Sequence, residues 1–388
     1  MRVSKRINEN EIIIYLEGRL DTTTAPILEE ELENITEPKN LVFDFENLEY
    51  ISSAGLRLIL KAKKQTETVK VINCNPEVYE IFNMTGFAEI MDVTKALREV
   101  SIDECEVIGE GFYGTVYRLD QETIVKVYKE GYSIESVKRE IDLARKAFVL
   151  GIPTAIPYDI VKVGNLYGSV FELLNSKSLQ KRIVEGADVD KIVRDTVEIL
   201  KKMHNTVIKN NELPSKKERI IELANDCKPY LPDEIWKKLI YLIESVPETN
   251  TMIHGDFHIK NIMEQNDEIL LIDMDTISVG HPIFELGAIY ATYEGFACVN
   301  KNNTQEFLGI TLEQSKKILD LTYKYYFDDK SSEYIEEIMN KAKVIAYLQV
   351  LWLKQKFLEE NNEVQKQEIE FCKNYFINNL SNIDSLAF

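Results

Sequence analysis

Long apolar runs are missing from this chain. No window approaches the ~20 apolar residues that a membrane-spanning helix needs, so no membrane is expected as a partner. The opening MRVSKRINENEIIIYLEG starts charged, but its apolar run is too short and too interrupted for a signal peptide. Basic charge is also scarce: 46 Lys and Arg stand against 65 Asp and Glu, a net charge of −19. That removes the cationic surplus on which nucleic-acid binding depends. It leaves room for a cationic partner, and it is equally the ordinary state of a soluble acidic surface. Cysteines are few and unpatterned: Cys74, Cys105, Cys227, Cys298 and Cys372 form no C-x-x-C and keep no regular spacing. They read as reduced thiols, and the chain as cytoplasmic. Internal repeats and low-complexity tracts are absent too.

What is present is a soluble globular composition, 45% hydrophobic and 29% charged, in 388 residues. That length exceeds one ordinary core and implies two or three domains. In the first hundred residues EIIIYLEG, NLVFDF and VKVINC read as strands. TTTAPILEEELENI between the first two reads as a helix with a Thr-type start, an early Pro and an apolar face at Ile27, Leu28 and Leu32. SSAGLRLILKAKKQ reads as a second helix that buries Leu56, Leu58, Ile59 and Leu60. Strands alternating with helices make an α/β unit.

The runs GRLDTTTAP, LVFDFENLEYISSAGLRLIL and VINCNPEVYEIFNMTGF resemble the STAS domain of bacterial anti-sigma factor antagonists. The resemblance implies phosphorylation by a partner kinase at Ser53 and a switch between regulatory partners of the anti-sigma type. Ser52 stands where that family places Asp. A Ser at a helix start also caps a free backbone N–H, which is the structural reading of Ser52 and Ser53; a phosphate there would meet the positive end of the helix dipole. The STAS-like domain is placed at 1–98, and residues 92–104 are read as a short polar connector, with helix as one option.

Beyond it, VIGEGFYGTVYRLDQETIVKVY carries Gly109, Gly111 and Gly114 in a G-x-G-x-x-G array. The glycines sit between two strand-like runs, and a third strand follows with Lys126 among Ile, Val and Tyr. A dinucleotide site needs strand, turn and helix instead; a hairpin followed by a strand lysine is how kinase-like folds cover and pair nucleotide phosphates. A helix over IESVKREIDLARKAFVLG has an apolar stripe at Val137, Ile141, Ala144 and Phe148, and Glu140 beside it is the candidate carboxylate for Lys126, with Glu135 as competitor. The strand LYGSVFELL then places the backbone near Glu172 and Leu174 at a nucleobase-binding hinge.

IHGDFHIKNIMEQNDEILLIDMDT gives H-x-D-x-x-x-x-N followed by a strand pair ending in acid. Phosphoryl transfer needs a carboxylate at the acceptor hydroxyl, Asp256, and oxygen ligands for Mg²⁺, Asn261 and Asp273. His254 reads as a loop stabiliser, His258 is given no catalytic role, and Asp275 competes with Asp273 for the metal.

HGDFHIKNI and LIDMDTISVGHPIFELG resemble the aminoglycoside phosphotransferase and choline kinase superfamily, which shares the protein kinase fold. Glu285 stands where that family has Asp and is expected to be structural. The resemblance implies transfer of the γ-phosphate of ATP or GTP, with Mg²⁺, to a hydroxyl of a small molecule, an aminoglycoside or another cationic metabolite among the options. The C-terminal helices would form the acceptor pocket, with Trp352 or nearby Tyr residues either stacking on a cation or simply core.

The expected architecture is thus a STAS-like α/β domain followed by an α+β bilobal kinase-like domain, N-lobe 99–175 and helical C-lobe 176–388. Two rival readings stay open: a protein Ser/Thr kinase acting on a STAS-type serine such as Ser53, and an inactive nucleotide-binding scaffold.

Overall fold

The computed structural model describes every residue except 9–10, 36–39, 112, 210–211, 267 and 360. The chain divides into two units, Met1–Ser101 with Val161–Asn165, and Ile102–Ile160 with Leu166–Phe388.

In the first unit five strands lie side by side in chain order: Arg2–Ile7, Glu11–Leu20, Asn40–Ile51, Thr68–Cys74 and Asp92–Lys95. The first pair is antiparallel and the others are parallel. Parallel neighbours cannot be joined by a tight turn, and helices Ala25–Glu33, Ser53–Gln65 and Pro76–Met84 lie in the crossovers. Leu41 to Phe45 are all buried, the mark of a strand covered on both faces. The first helix buries Ala25 and Leu28 and leaves Ile27 43% exposed, against the expectation. Ala25, Leu28 and Leu32 share one narrow stripe, and Ile27 lies one residue, about 100°, off it. Residues 92–104 contain no helix: Asp92–Lys95 and Arg98–Glu99 are strands, the first with β-branched Val93 and Thr94 at the sheet edge.

The second unit opens with an antiparallel hairpin, Val107–Glu110 and Gly114–Arg118, continued by Thr123–Tyr128 and then Leu166–Glu172. Helix Ile134–Val149 buries Val137, Glu140, Ile141, Ala144 and Ala147, while Phe148 is 44% exposed and outside the expected stripe. Ala147 takes the inward position, and its small side chain lets the helix pack closely. The remaining chain is mostly helical, with Val189–Asn205, Lys216–Asp226, Asp233–Glu244, Ile283–Tyr293, Leu312–Tyr326, Ser332–Lys356 and Glu363–Asn379 packed around one apolar core. Both tryptophans, Trp236 and Trp352, are in this unit. Among the described residues no helix is long and apolar enough to cross a membrane.

Helix Ile283–Tyr293 is buried on every side. At Gly287 a Cβ would lie 2.5 Å from Ile345 Cβ and 3.1 Å from the Ala342 carbonyl oxygen on the long neighbouring helix. Gly to Ala in a helix normally gains about 1 kcal/mol. Here overpacking reverses the sign, and Gly287→Ala is expected to cost about 1–3 kcal/mol, seen as a lower urea midpoint in tryptophan fluorescence.

His281 is buried, packs edge-on to Phe388 at 4.8 Å, and its Nδ1 accepts from Ile283 N at 3.2 Å. Burial pushes its pKa down from 6.5 to about 4. The folded state resists the proton that the unfolded chain accepts, so this contribution to stability is complete above pH 6.5. It is lost as pH falls from 6.5 towards about 4, up to roughly 3 kcal/mol. Urea midpoints measured across that window should show the decline in wild type, with a shallower slope in His281→Asn.

Candidate active site

Strand Thr123–Tyr128 pairs with Gly114–Arg118 so that Gly114 faces Tyr128, and a Cβ on Gly114 would collide with the Val127 carbonyl oxygen. Gly111 N donates to Gly114 O at 2.8 Å and closes the turn. Gly109 faces Val116 with ordinary clearance for a Cβ, so glycine is sterically required at Gly114 and not at Gly109. At the loop tip Tyr113 contacts Tyr132, which stacks on Tyr128 at 4.8 Å and 11°.

Lys126 Nζ lies 2.6 Å from Glu140 Oε1 and 3.3 Å from Asp273 Oδ1. Glu140 is buried and Glu135 exposed, so the helix presents Glu140 to the lysine. Burial works against the Lys126 charge, but Asp273 and Glu140 outweigh it and hold its pKa above the ordinary lysine value. Strand Leu166–Glu172 leads to the segment expected to act as the hinge. Glu172 N donates to Ile156 O, and its carboxylate accepts from Ile156 N at 3.2 Å, so that side chain is committed to the fold. The Leu174 carbonyl accepts from Ser176 Oγ at 3.4 Å.

The segment that holds the acids is clamped at its base, where Met252–Ile253 pairs with Ser278–Val279. Inside the clamp Ile262–Gln265 and Glu268–Leu271 form the expected hairpin. Asn261 Nδ2 donates to Asp256 Oδ2 at 2.9 Å and to Asp256 O at 3.1 Å. His258 Nε2 lies 3.3 Å from Asp256 Oδ1. Burial opposes ionisation of Asp256, yet His258, then His254 and the Asn261 amide, more than offset it and hold the carboxyl well below the usual range. Asp256 is therefore a carboxylate at any working pH, better suited to orienting a hydroxyl than to storing a proton.

His254 is fully buried and burial lowers its pKa; its Nδ1 accepts from Asp256 N at 3.3 Å. That loop-binding role is the one its motif position suggests. Glu285, fully buried, accepts from His254 N at 2.5 Å and from Gly255 N at 3.0 Å. His204 Nε2 stands 3.9 Å away, an electrostatic contact only.

Asp273 adopts a left-handed backbone, φ 62° and ψ 60°, uncommon for a residue with a Cβ. Asp275, two residues on, is pushed well above the carboxylate range by burial and then by Asp273. An oxygen-seeking divalent cation fits this donor set. With its amide nitrogen engaged by Asp256, Asn261 is left its oxygen for a metal, and the Asp273 carboxylate is partly exposed. Among the described residues no three or more His, Cys, Asp or Glu could hold a metal by themselves, so such an ion would draw other ligands from phosphate and water.

The profile of the phosphotransferase enzyme family matches residues 104–300. The chain belongs to that family. A STAS domain profile matches residues 2–100. This phosphotransferase therefore carries a STAS domain ahead of its family domain. Over its first part it is similar to the anti-sigma-B factor antagonist of Bacillus subtilis, 28% identical over 99 residues, 24% of this chain and 91% of that protein. A Bordetella bronchiseptica protein described as an anti-sigma factor antagonist, BtrV, is 35% identical over 91 residues, 22% of this chain and 78% of its own. A solved gentamicin complex of the phosphotransferase APH(2")-IIa is 16% identical, with 79% of this chain and 97% of that one covered and a TM-score of 0.46.

Three features of the phosphotransferase depart from or exceed the sequence reading. Ser52 alone caps its helix, accepting from Ala54 N at 3.2 Å; Ser53 is the first helical residue and is exposed. Trp352 donates to Asp226 Oδ2 at 2.9 Å, and its ring already carries Lys356 at 4.5 Å and Arg219 at 5.1 Å, which disfavours stacking on a further cation. Lys216, buried against the catalytic loop, carries no motif signal: SKKERIIEL reads as the start of a surface helix.

Proposed function

We propose that this phosphotransferase moves the γ-phosphate of ATP or GTP, with Mg²⁺, to a hydroxyl of a small molecule, an aminoglycoside or another cationic metabolite being candidates. The observation that carries the reading is the pair of linked contacts, Asp256 to Asn261 and Lys126 to Glu140 and Asp273, which gathers an acceptor carboxylate, a phosphate-pairing lysine and metal oxygens in one domain. In this scheme Gly109, Gly111 and Gly114 cover the phosphates, the backbone at Glu172 and Leu174 receives the base, and Lys126, fixed by Glu140, pairs the phosphates. Bound magnesium would neutralise charge on the transferring phosphoryl group, held by Asn261 and Asp273. Asp256 accepts the hydrogen bond of the attacking hydroxyl and aims it. The STAS domain serves regulation or the binding of a regulatory protein, in the manner of anti-sigma antagonists.

A second reading draws on the exposure of Ser53 at a helix N-terminus: transfer to that serine, in this chain or in a partner's STAS domain. One experiment separates them. Labelled ATP or GTP with Mg²⁺ is offered to the full chain with pooled aminoglycosides, choline-like amines and sugars, and label is followed on small molecules and on protein. Label on a small molecule supports the first reading; label on protein that disappears in Ser53→Ala supports the second. Bound nucleotide with no transfer to anything leaves an inactive scaffold and overturns both.

A further inference from the structure

Lys216 should be on the surface. It lies in the first turn of helix Lys216–Asp226, in a strongly polar sequence, and a lysine there would ordinarily extend its ammonium into water. Instead it is only 9% exposed. The helix entry is fixed from two sides: Ser215 Oγ accepts from Glu218 N at 3.2 Å, and Val279 N donates to Pro214 O at 2.9 Å. Ser215 also bridges to Val279, on the strand that clamps the base of the catalytic segment. The backbone thereby delivers the lysine inward.

Where it arrives is shown by Gly255. This residue has φ +87°, and a Cβ on it would lie 2.8 Å from Lys216 Nζ and 2.7 Å from Thr276 O. The ammonium thus rests on the catalytic loop one residue before Asp256, at the point where that loop passes the turn Met274–Thr276. Burial pushes the Lys216 pKa down; Glu285, Asp256 and Asp275 favour its charge against this, and Arg219 opposes it. A buried ammonium is costly unless compensated.

We propose that Lys216 is a positioning residue for phosphoryl transfer, a fixed cation that ties the loop bearing Asp256 to the turn bearing Asp275 and keeps the acceptor carboxylate in register with the metal-side acids. The proposal rests on the phosphotransferase reading above. It gives the two lysines of the site different kinetic signatures. Lys126 reaches Glu140 and Asp273 from the N-lobe strand, so its loss weakens nucleotide use. Lys216 reaches the catalytic loop from the C-lobe, so its loss slows turnover while nucleotide binding stays intact.

The test compares full-length wild type, Lys216→Met and Lys216→Arg in steady-state transfer to whichever acceptor takes label, together with binding of a fluorescent ATP analogue and thermal melting. Lys216→Gln, whose tip still forms hydrogen bonds, replaces the Met variant if that one does not fold. The expected result is a fall in kcat on the order of 10–100-fold for the neutral variants, with nucleotide KM and analogue affinity unchanged and substantial recovery in Lys216→Arg. A folded neutral variant with wild-type kcat overturns the proposal and leaves the phosphotransferase reading intact. A rise in nucleotide KM at constant kcat, or a kcat in Lys216→Arg as low as in the neutral variants, also overturns it. If wild type transfers phosphate to nothing, the phosphotransferase reading fails first and takes this proposal with it.

Discussion

Asp256→Asn is expected to lower kcat by about 10²-fold or more, the scale of losing a group that orients the attacking hydroxyl, while nucleotide binding is retained. The substitution is nearly isosteric. It removes the charge that faces His258 at 3.3 Å and turns the acceptor of the Asn261 amide into a group that also donates. Because the wild-type carboxyl is held well below the usual range, Asp256 should contribute no acid limb to the rate near neutral pH. Single-turnover transfer, measured beside binding of a fluorescent nucleotide, checks both parts. A variant that keeps wild-type turnover would remove Asp256 from the chemistry.

Glu285→Ala is expected to be the most damaging single change to the phosphotransferase domain, costing about 3–5 kcal/mol. It strips the acceptor from the His254 and Gly255 N–H groups and leaves Lys216 buried without its foremost counter-charge. Each orphaned N–H alone costs about 1–3 kcal/mol. Urea denaturation followed by tryptophan fluorescence would register the loss, and turnover should fall with it as the loop loses its anchor. There is also a pH signature. Burial opposes the Glu285 charge, but His204, His254 and Lys216 overcome this and depress its pKa below 4.5. Its contribution is therefore complete above pH 4.5 and is lost as pH falls through the lower folded value. Glu285→Gln should start from lower stability and show a weaker decline over that acid range.

Much of this site is written locally. Gly114, Lys126, Asp256, Asn261 and Asp273 stand out in the sequence because a glycine-turned hairpin and an acid-bearing segment impose fixed spacing on the residues they carry. Glu140 could be chosen over Glu135 by its place beside an apolar stripe, a periodicity argument that holds wherever one face is buried. The same argument failed at Ile27 and Phe148, because in a helix one position is worth about 100° and the neighbour, Leu28 or Ala147, occupied the inward direction. Residues 92–104 deceived through polarity, since an edge strand needs few apolar side chains. Lys216 was beyond local reading altogether. Its meaning depends on Val279 and Gly255 meeting it across the fold, and no periodicity or motif encodes that meeting. Glu285 is intermediate: the motif marked the position, and only the fold shows which N–H groups it receives.

Asp256 takes all its support from the helical side of the domain: Asn261 and His258 from its own segment, Glu285 from helix Ile283–Tyr293 through the two N–H groups before it. Lys126, by contrast, reaches Asp273 across from the N-lobe sheet. The two candidate groups are thus held from different directions. If transfer proceeds as proposed, substitutions on the Lys126 strand should change how tightly nucleotide is held, and those around Asp256 should change how often a bound phosphate is transferred.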